Sequence, residues 1–143
     1  MISRRLLVVA ACALIKPDQR LLIAQRPNGK ALAGLWEFPG GKIESGESPE
    51  ETIVRELQEE LAVTIAASSL APLSFASHEY ADFHLLMPLY VCRKWRGTPK
   101  AMEAQQIAWV EIGELTRQTS QFPMPPADAP LLPALQRYIT PLA

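Results

Sequence analysis

The stretch GGKIESGESPEETIVRELQEELAV, from Gly40 to Val63, decides the fold. Two glycines open it, and a run with helically spaced apolar residues closes it. Ser48 suits the N-cap of this helix, and Pro49 suits its first position. Glu51 follows Ser48 by three residues and completes a capping box. We therefore predict a helix from Pro49 to about Leu61.

Three glutamates of this helix share one face, because Glu56, Glu59 and Glu60 lie at i, i+3 and i+4. Like charges at this spacing repel by about 0.2–0.5 kcal/mol per pair, and a cation among them would offset that cost. Mg²⁺ prefers oxygen ligands of this kind, together with waters and phosphate oxygens. The alternative is an ordinary solvated helix face, and the three residues alone leave both interpretations open. The apolar stripe lies on another face, at Ile53, Val54, Leu57 and Leu61.

Length and charge limit the classes of function. The chain has 143 residues, which suits one domain. Its formal net charge of -1 provides no broad basic surface, so we expect no binding of polymeric nucleic acid. A small anionic ligand can still bind at a local site. No apolar run reaches the roughly 18 residues of a membrane span, so we expect no membrane association.

The N-terminal region has two possible interpretations. Arg4 and Arg5 precede the apolar run LLVVAACALI, a pattern also found in secretory signals. A Pro-Asp turn and a second apolar run favour instead two strands paired as a hairpin, Leu6–Ile15 and Leu21–Gln25. Two cysteines lie in apolar runs, Cys12 and Cys92, and we expect buried free thiols in a cytoplasmic protein.

The rest of the chain is rich in strand-like segments. These are Trp36–Phe38, Val63–Ile65, Leu73–Ser77, His84–Cys92 and Ile107–Val110. Loops are expected at 27–35, at 42–47 and in the proline-rich segment 121–130, before a last helix at Leu131–Ile139. Strands outnumber helices, so we predict an α/β domain with helices packed on a curved sheet.

The wider spacing resembles one known motif. Gly41, then five residues, Glu47, then seven residues and the run RELQEELAV, resembles the Nudix box at every charged position. Ala62 stands where that box has glycine. If this position requires a positive φ, alanine costs about 1 kcal/mol there. By this resemblance, residues 1–143 form a single Nudix hydrolase domain.

The resemblance implies a fold and a metal site. The fold is an α/β/α sandwich with a curved mixed sheet between helices. The activity is Mg²⁺- or Mn²⁺-dependent hydrolysis of nucleoside diphosphates linked to another group. The implied metal ligands are Glu56, Glu59, Glu60 and the Gly41 carbonyl, and Glu56 also orients or deprotonates water. Arg55 and Glu47 form the implied supporting pair.

The segment EFPGGKIE, Glu37–Glu44, resembles the MutT branch of this family, which sanitises the nucleotide pool. By that resemblance Arg26 contacts phosphate, and Glu103 is a further metal ligand or base candidate. The surrounding substrate-binding candidates are Glu37, Phe38 and Gly40, with Phe38 in the base pocket. Phe83, Leu85 and His78 are possible lining residues that also suit an ordinary core.

Asp128 is the candidate for reading the base. It lies in a PPAD segment where the MutT branch has asparagine, and an ionised aspartate can only accept hydrogen bonds. An N–H of 8-oxoguanine or the amine of cytosine satisfies that requirement. The other interpretation of Asp128 is an N-cap for the last helix.

The expected activity follows from the resemblance. A monomeric or homodimeric enzyme converts a nucleoside triphosphate, above all 8-oxo-dGTP, into the monophosphate and pyrophosphate. The alternatives are hydrolysis of CTP or a modified dCTP, and a module that binds nucleotide without hydrolysis.

Overall fold

The structure, a computed structural model, describes residues 5–139. Within this range the chain forms seven strands and three α-helices. The strands are β1 (Arg5–Leu14), β2 (Leu21–Gln25), β3 (Trp36–Glu37), β4 (Gly40–Lys42), β5 (Leu70–Glu79), β6 (Phe83–Cys92) and β7 (Gln106–Val110). The helices are α1 (Pro49–Leu61), α2 (Ile112–Thr116) and α3 (Leu132–Ile139), with 3₁₀ turns at Ala67–Ser69 and Ala129–Leu131.

The strands form two sheets, in the orders β4–β1–β6–β5 and β3–β2–β7. Strands β1 and β6 run parallel, and the other pairings are antiparallel. The larger sheet is therefore mixed, as predicted.

Strand β1 lies between two apolar cores because its alternate side chains point to opposite faces. Ala11 and Ala13 belong to one core, which also contains Leu132 and Leu135 of α3. The other core contains Ala10, Cys12 and Leu14, together with Ile53, Leu57 and Leu61 of α1. Helices thus cover both faces of the sheet, which confirms the α/β/α sandwich. Both cysteines are buried and free, as expected.

Helix α1 begins and ends as its local sequence dictates. The Glu51 N–H donates to the Ser48 hydroxyl at 3.1 Å, and the Ser48 N–H donates to the Glu51 carboxylate at 2.9 Å. At the other end, Ala62 adopts the left-handed conformation with φ of 57°. Ala62 therefore has the positive φ at which alanine is strained relative to glycine.

Two strand predictions are wrong. Strands β1 and β2 do not form a hairpin ladder, because they belong to different sheets and meet through a single bridge between Ile15 and Leu21. The segment 63–65 is not a strand, since only Thr64 pairs, with Arg96. Its apolar neighbours Val63 and Ile65 are buried in the core beneath α1 instead.

Smaller differences concern element boundaries. Strand β4 and helix α2 were not predicted, and only the last residue of β4 falls within the loop predicted at 42–47. Within residues 5–139, no helix is both long enough and apolar enough to cross a membrane.

Candidate active site

An acidic hollow of about 350 Å³ lies beside the C-terminal half of α1. Glu56, Glu59 and Glu60 line it from the helix, and Glu103 lines it from the loop before β7. The structure thus brings together the four predicted carboxylates. Arg26, Lys30, Glu37 and Gly40 also line this hollow.

The loop before β7 is held on the end of α1 by backbone carbonyls that the helix leaves unpaired. The Met102 N–H donates to the Glu60 carbonyl at 3.0 Å, and the Gln105 side-chain amide donates to the same oxygen at 2.9 Å. These bonds place Glu103 beside the helix glutamates. Sequence reasoning missed Gln105, because its partner lies 45 residues away and no local pattern links them.

Arg55 connects the loop after β4 to the helix. Its guanidinium donates to both carboxylate oxygens of Glu47, at 2.7 and 2.9 Å, and to Glu56 at 2.9 Å. These bonds lower the pKa of Glu47 to about 2, with the Glu44 N–H contributing. Arg55 and Glu47 do not line the hollow. Arg55 nevertheless fixes the position of the Glu56 carboxylate, which does.

Glu60 is the most perturbed acid of the hollow. Burial raises its pKa to about 8, and the charges of Glu56, Glu103 and Glu37 add to this effect, against a hydrogen bond from the Gly40 N–H. Its buried Oε2 has no hydrogen-bond partner among residues 5–139. The pKa of Glu56 is also raised, chiefly by burial, although Arg55 opposes the shift.

Gly41 allows the Glu56 carboxylate to lie against the backbone of β4. A Cβ atom at Gly41 would lie 2.5 Å from Glu56 Oε1, which is closer than contact allows. In the described part of the chain, no three acidic, histidine or cysteine side chains already converge as a closed ligand set. The glutamates surround the hollow instead. The unpaired Glu60 oxygen and the mutual repulsion of the acids fit a hard divalent cation, which prefers oxygen ligands.

A second cavity, of about 560 Å³, adjoins the hollow. Arg26, Glu37 and Gly40 line both, so the two form one continuous site. Arg26 donates to the Glu37 carboxylate at 3.1 and 3.2 Å and to the Ala31 carbonyl at 2.6 Å. The walls of this second cavity are largely apolar, and they include Leu7, Val9, Phe38, Phe83, Leu85 and Met87.

Asp128 is the buried acid of the apolar cavity, with 4% of its surface exposed. Burial raises its pKa to about 7, and the charge of Glu37 adds to this effect. The Phe38 N–H donates to the carboxylate and opposes the shift, as does Arg26. Asp128 precedes the 3₁₀ turn, but its side chain makes no capping bond. The N-cap interpretation of this side chain is therefore wrong.

Most of the predicted site residues line one or both cavities, whereas Arg55 and Glu47 line neither. The acidic hollow holds Glu56, Glu59, Glu60, Glu103, Arg26, Glu37 and Gly40. The apolar cavity holds Phe38, Gly41 and Asp128, and also Phe83 and Leu85. His78 does not line it and packs edge-on against Tyr80. Sequence reasoning missed the cavity residues Tyr80, Lys30 and Lys42.

Comparisons with known proteins indicate the family of this chain. Residues 10–134 match the NUDIX domain family model. The chain is 36% identical over 130 residues to a CTP pyrophosphohydrolase of Escherichia coli K12, covering 90% of each chain. It is 33% identical over 131 residues to the 8-oxo-dGTP diphosphatase of the same organism, covering 92% of this chain and 97% of the relative.

A solved structure of MutT, from Aliivibrio salmonicida or Vibrio cholerae, superposes with a TM-score of 0.77. It is 30% identical in sequence, and the match covers 94% of this chain and 99% of that one. With the family model matched over most of its length, this chain belongs to the NUDIX domain family.

Proposed function

We propose that this protein is a Mg²⁺-dependent nucleoside triphosphate pyrophosphohydrolase of the cytoplasm, with 8-oxo-dGTP as its favoured substrate. One observation carries the proposal. An acidic hollow, in which a buried glutamate oxygen has no hydrogen-bond partner among residues 5–139, opens into an apolar cavity lined by the buried acid Asp128. The relatives named for hydrolysis of 8-oxo-dGTP and CTP support the same reaction class.

The two cavities suit the two ends of a nucleotide. The apolar walls around Phe38 suit a flat base, and Asp128 can accept a hydrogen bond from it. The phosphates would then extend toward the hollow past Arg26, which lines both cavities. Lys30 adds a second positive charge on the same wall.

The acidic residues would hold the divalent ion. Glu56, Glu59, Glu60, Glu103 and the Gly41 carbonyl are the proposed ligands, with Mn²⁺ as a possible substitute for Mg²⁺. When bound, the ion supplies a more acidic water and neutralises negative charge on the phosphates.

The chain's own contribution is chiefly positioning. Arg55 holds the Glu56 carboxylate with a hydrogen bond of 2.9 Å, so this acid has a fixed orientation toward the site. Glu56 or Glu103 accepts the proton of the attacking water. Attack at an inner phosphorus gives the nucleoside monophosphate and pyrophosphate.

The second candidate function is hydrolysis of CTP or a modified dCTP. Asp128 favours it, because an ionised carboxylate accepts a hydrogen bond from the cytosine amine as readily as from the N7–H of 8-oxoguanine. A module that binds nucleotide without turnover is the third candidate, and the four carboxylates gathered in the hollow argue against it.

The test is kcat/KM for 8-oxo-dGTP, dGTP, CTP and 5-methyl-dCTP with Mg²⁺, with products separated by chromatography. We expect monophosphate and pyrophosphate, with 8-oxo-dGTP preferred over dGTP. A preference for the cytosine nucleotides would select the second function. Release of inorganic phosphate and a diphosphate would contradict the proposed bond cleavage.

A matched pair of variants tests the role of the hollow. Glu59→Gln removes one proposed ligand and should abolish turnover while the fold is retained. Glu51→Gln lies on the same helix, outside the hollow, and glutamine still serves a capping box. We expect this control to keep full activity. Unchanged turnover in Glu59→Gln would refute the metal site.

A further inference from the structure

The wall of the apolar cavity includes Tyr80 as well as Asp128. Tyr80 belongs to the turn between β5 and β6, where its N–H donates to the Phe83 carbonyl at 2.9 Å. Its ring stacks on Phe83, with 5.0 Å between centroids and 27° between planes. His78 packs against it edge-on at 4.6 Å. The position of the Tyr80 ring is therefore set by neighbours on both strands.

Tyr80 and Asp128 line the same cavity, and the charge of Asp128 acts on the Tyr80 phenol. Burial raises the pKa of this phenol, and the negative charge of Asp128 raises it further. Among residues 5–139, none makes a hydrogen bond to the Tyr80 hydroxyl. Tyr80 is partly buried, and its hydroxyl is available to a ligand that enters the cavity.

We propose that Tyr80 is a specificity-determining residue, whose hydroxyl makes the second hydrogen bond, beside Asp128, to the base of a bound nucleotide. This inference rests on the proposed function. An ionised Asp128 can only accept a hydrogen bond, whereas the phenol of Tyr80 can donate one. The pair therefore complements a base edge on which a donor lies next to an acceptor.

This pattern occurs on the Watson–Crick edges of cytosine and of guanine, where N1–H lies next to O6, and it distinguishes 8-oxoguanine from guanine at the N7 edge. The cytosine amine lies next to the N3 acceptor. In 8-oxoguanine, oxidation places a proton on N7, next to the O6 and O8 acceptors. The same edge of unmodified guanine presents N7 and O6, which are both acceptors. Tyr80 and Asp128 together thus favour cytosine or 8-oxoguanine over guanine bound by that edge.

The test compares Tyr80→Phe with Tyr138→Phe. The first variant removes the hydroxyl but keeps the ring that stacks on Phe83. The second makes the same chemical change at an exposed tyrosine outside both cavities. Calorimetry without divalent metal gives the dissociation constants of 8-oxo-dGMP, dCMP, dGMP and deoxyribose 5-phosphate for each protein.

The reference ligand is whichever of 8-oxo-dGMP and dCMP binds the unmodified protein more tightly. We expect Tyr80→Phe to weaken binding of that nucleotide by about 3- to 10-fold, the loss typical of one hydrogen bond. Its affinity for deoxyribose 5-phosphate should not change, and Tyr138→Phe should behave as the unmodified protein. The inference is overturned if Tyr80→Phe matches Tyr138→Phe for every ligand, or if the sugar phosphate is weakened equally. It is also overturned if the unmodified protein binds no base more tightly than the sugar phosphate.

Binding is measured without turnover, so the two proposals fail separately. An unmodified protein that binds 8-oxo-dGMP or dCMP but hydrolyses no triphosphate would refute the proposed function and leave the role of Tyr80 standing.

Discussion

Gly41 determines where the Glu56 carboxylate can lie, because glycine has no Cβ atom to displace it. The Cβ of an alanine here would overlap the Glu56 carboxylate, which is the flexible end of a side chain and can move away. We therefore expect Gly41→Ala to fold normally but to displace Glu56, with kcat/KM lowered about 10- to 100-fold. Steady-state kinetics and a melting curve measure both effects.

The control for this change is Gly113→Ala in α2. A Cβ at Gly113 would meet no atom within 4 Å, so activity and melting temperature should be nearly unchanged. Full activity in Gly41→Ala would show that the position of the Glu56 carboxylate does not matter for turnover.

The raised pKa of Asp128 predicts that the preference for 8-oxo-dGTP over dGTP depends on pH. With a pKa of about 7, it is largely ionised at pH 8 and accepts only, but below pH 7 it gains a proton that it can donate. The acceptors N7 and O6 of guanine are then tolerated. We expect the ratio of kcat/KM for 8-oxo-dGTP to that for dGTP to rise with pH between 6 and 8. Because it is a ratio, titration of groups that act equally on both substrates cancels.

Asp128→Asn provides the control, because an amide does not titrate and has both donor and acceptor capacity. The ratio should then be constant between pH 6 and 8. The charged or titratable groups that act on Asp128 are Glu37, Arg26 and Tyr80, and they remain in this variant. An equal pH dependence in both proteins would assign the effect to another group.

At the scale of elements, the end of α1 carries strain. Ala62 has φ of 57°, a conformation that costs alanine about 1 kcal/mol relative to glycine. We therefore expect Ala62→Gly to raise the free energy of unfolding by about 1 kcal/mol, measured by urea denaturation. In contrast, Ala66→Gly, at a residue with φ of -81°, should lower it. Destabilisation by both changes would show that the helix end tolerates alanine without strain.

The sequence predicted α1 correctly because its signals are local. The capping box of Ser48 and Glu51 and the apolar stripe both lie within the helix itself. The pairing of β1 with β2 was wrong because strand partners are chosen by the whole sheet: β1 pairs with β6, about 80 residues later in the chain. Val63 and Ile65 alternate with the polar Thr64 as in a strand, but their side chains are buried in the core under α1 and the segment joins no sheet.

At the scale of the whole molecule, the sequence indicated the acids of the hollow but not the shape of the apolar cavity. Glu56, Glu59 and Glu60 share one helix, so their spacing alone groups them. Tyr80 and Asp128 approach each other only because the β5–β6 turn and the segment before α3 meet at one cavity. No local pattern encodes that meeting.

The free energy of unfolding of the metal-free protein should depend on pH, because buried acids in both cavities have shifted pKa values. The pKa values of Glu60 and Asp128 are raised to about 8 and about 7, from usual values of 4.5 and 3.8. The folded state therefore binds more protons than the unfolded state between about pH 4 and pH 8, and stability falls as pH rises through this window. Glu47 acts in the opposite sense, because its pKa is lowered from 4.5 to about 2, so its contribution is lost as pH falls below about 4.5.

We accordingly expect the melting temperature in EDTA to be highest near pH 5 and to decline toward pH 8. Glu60→Gln should flatten that decline, because the amide needs no proton to remain neutral, whereas Glu51→Gln on the same helix should not. Mg²⁺ at pH 8 should raise the melting temperature of the unmodified protein more than that of Glu60→Gln, since a bound cation compensates the ionised acids. A melting temperature that rises steadily from pH 5 to pH 8 in EDTA would mean that the buried acids carry no such cost. The acidic hollow would then be a well-solvated surface, and the argument for a cation there would fail with it.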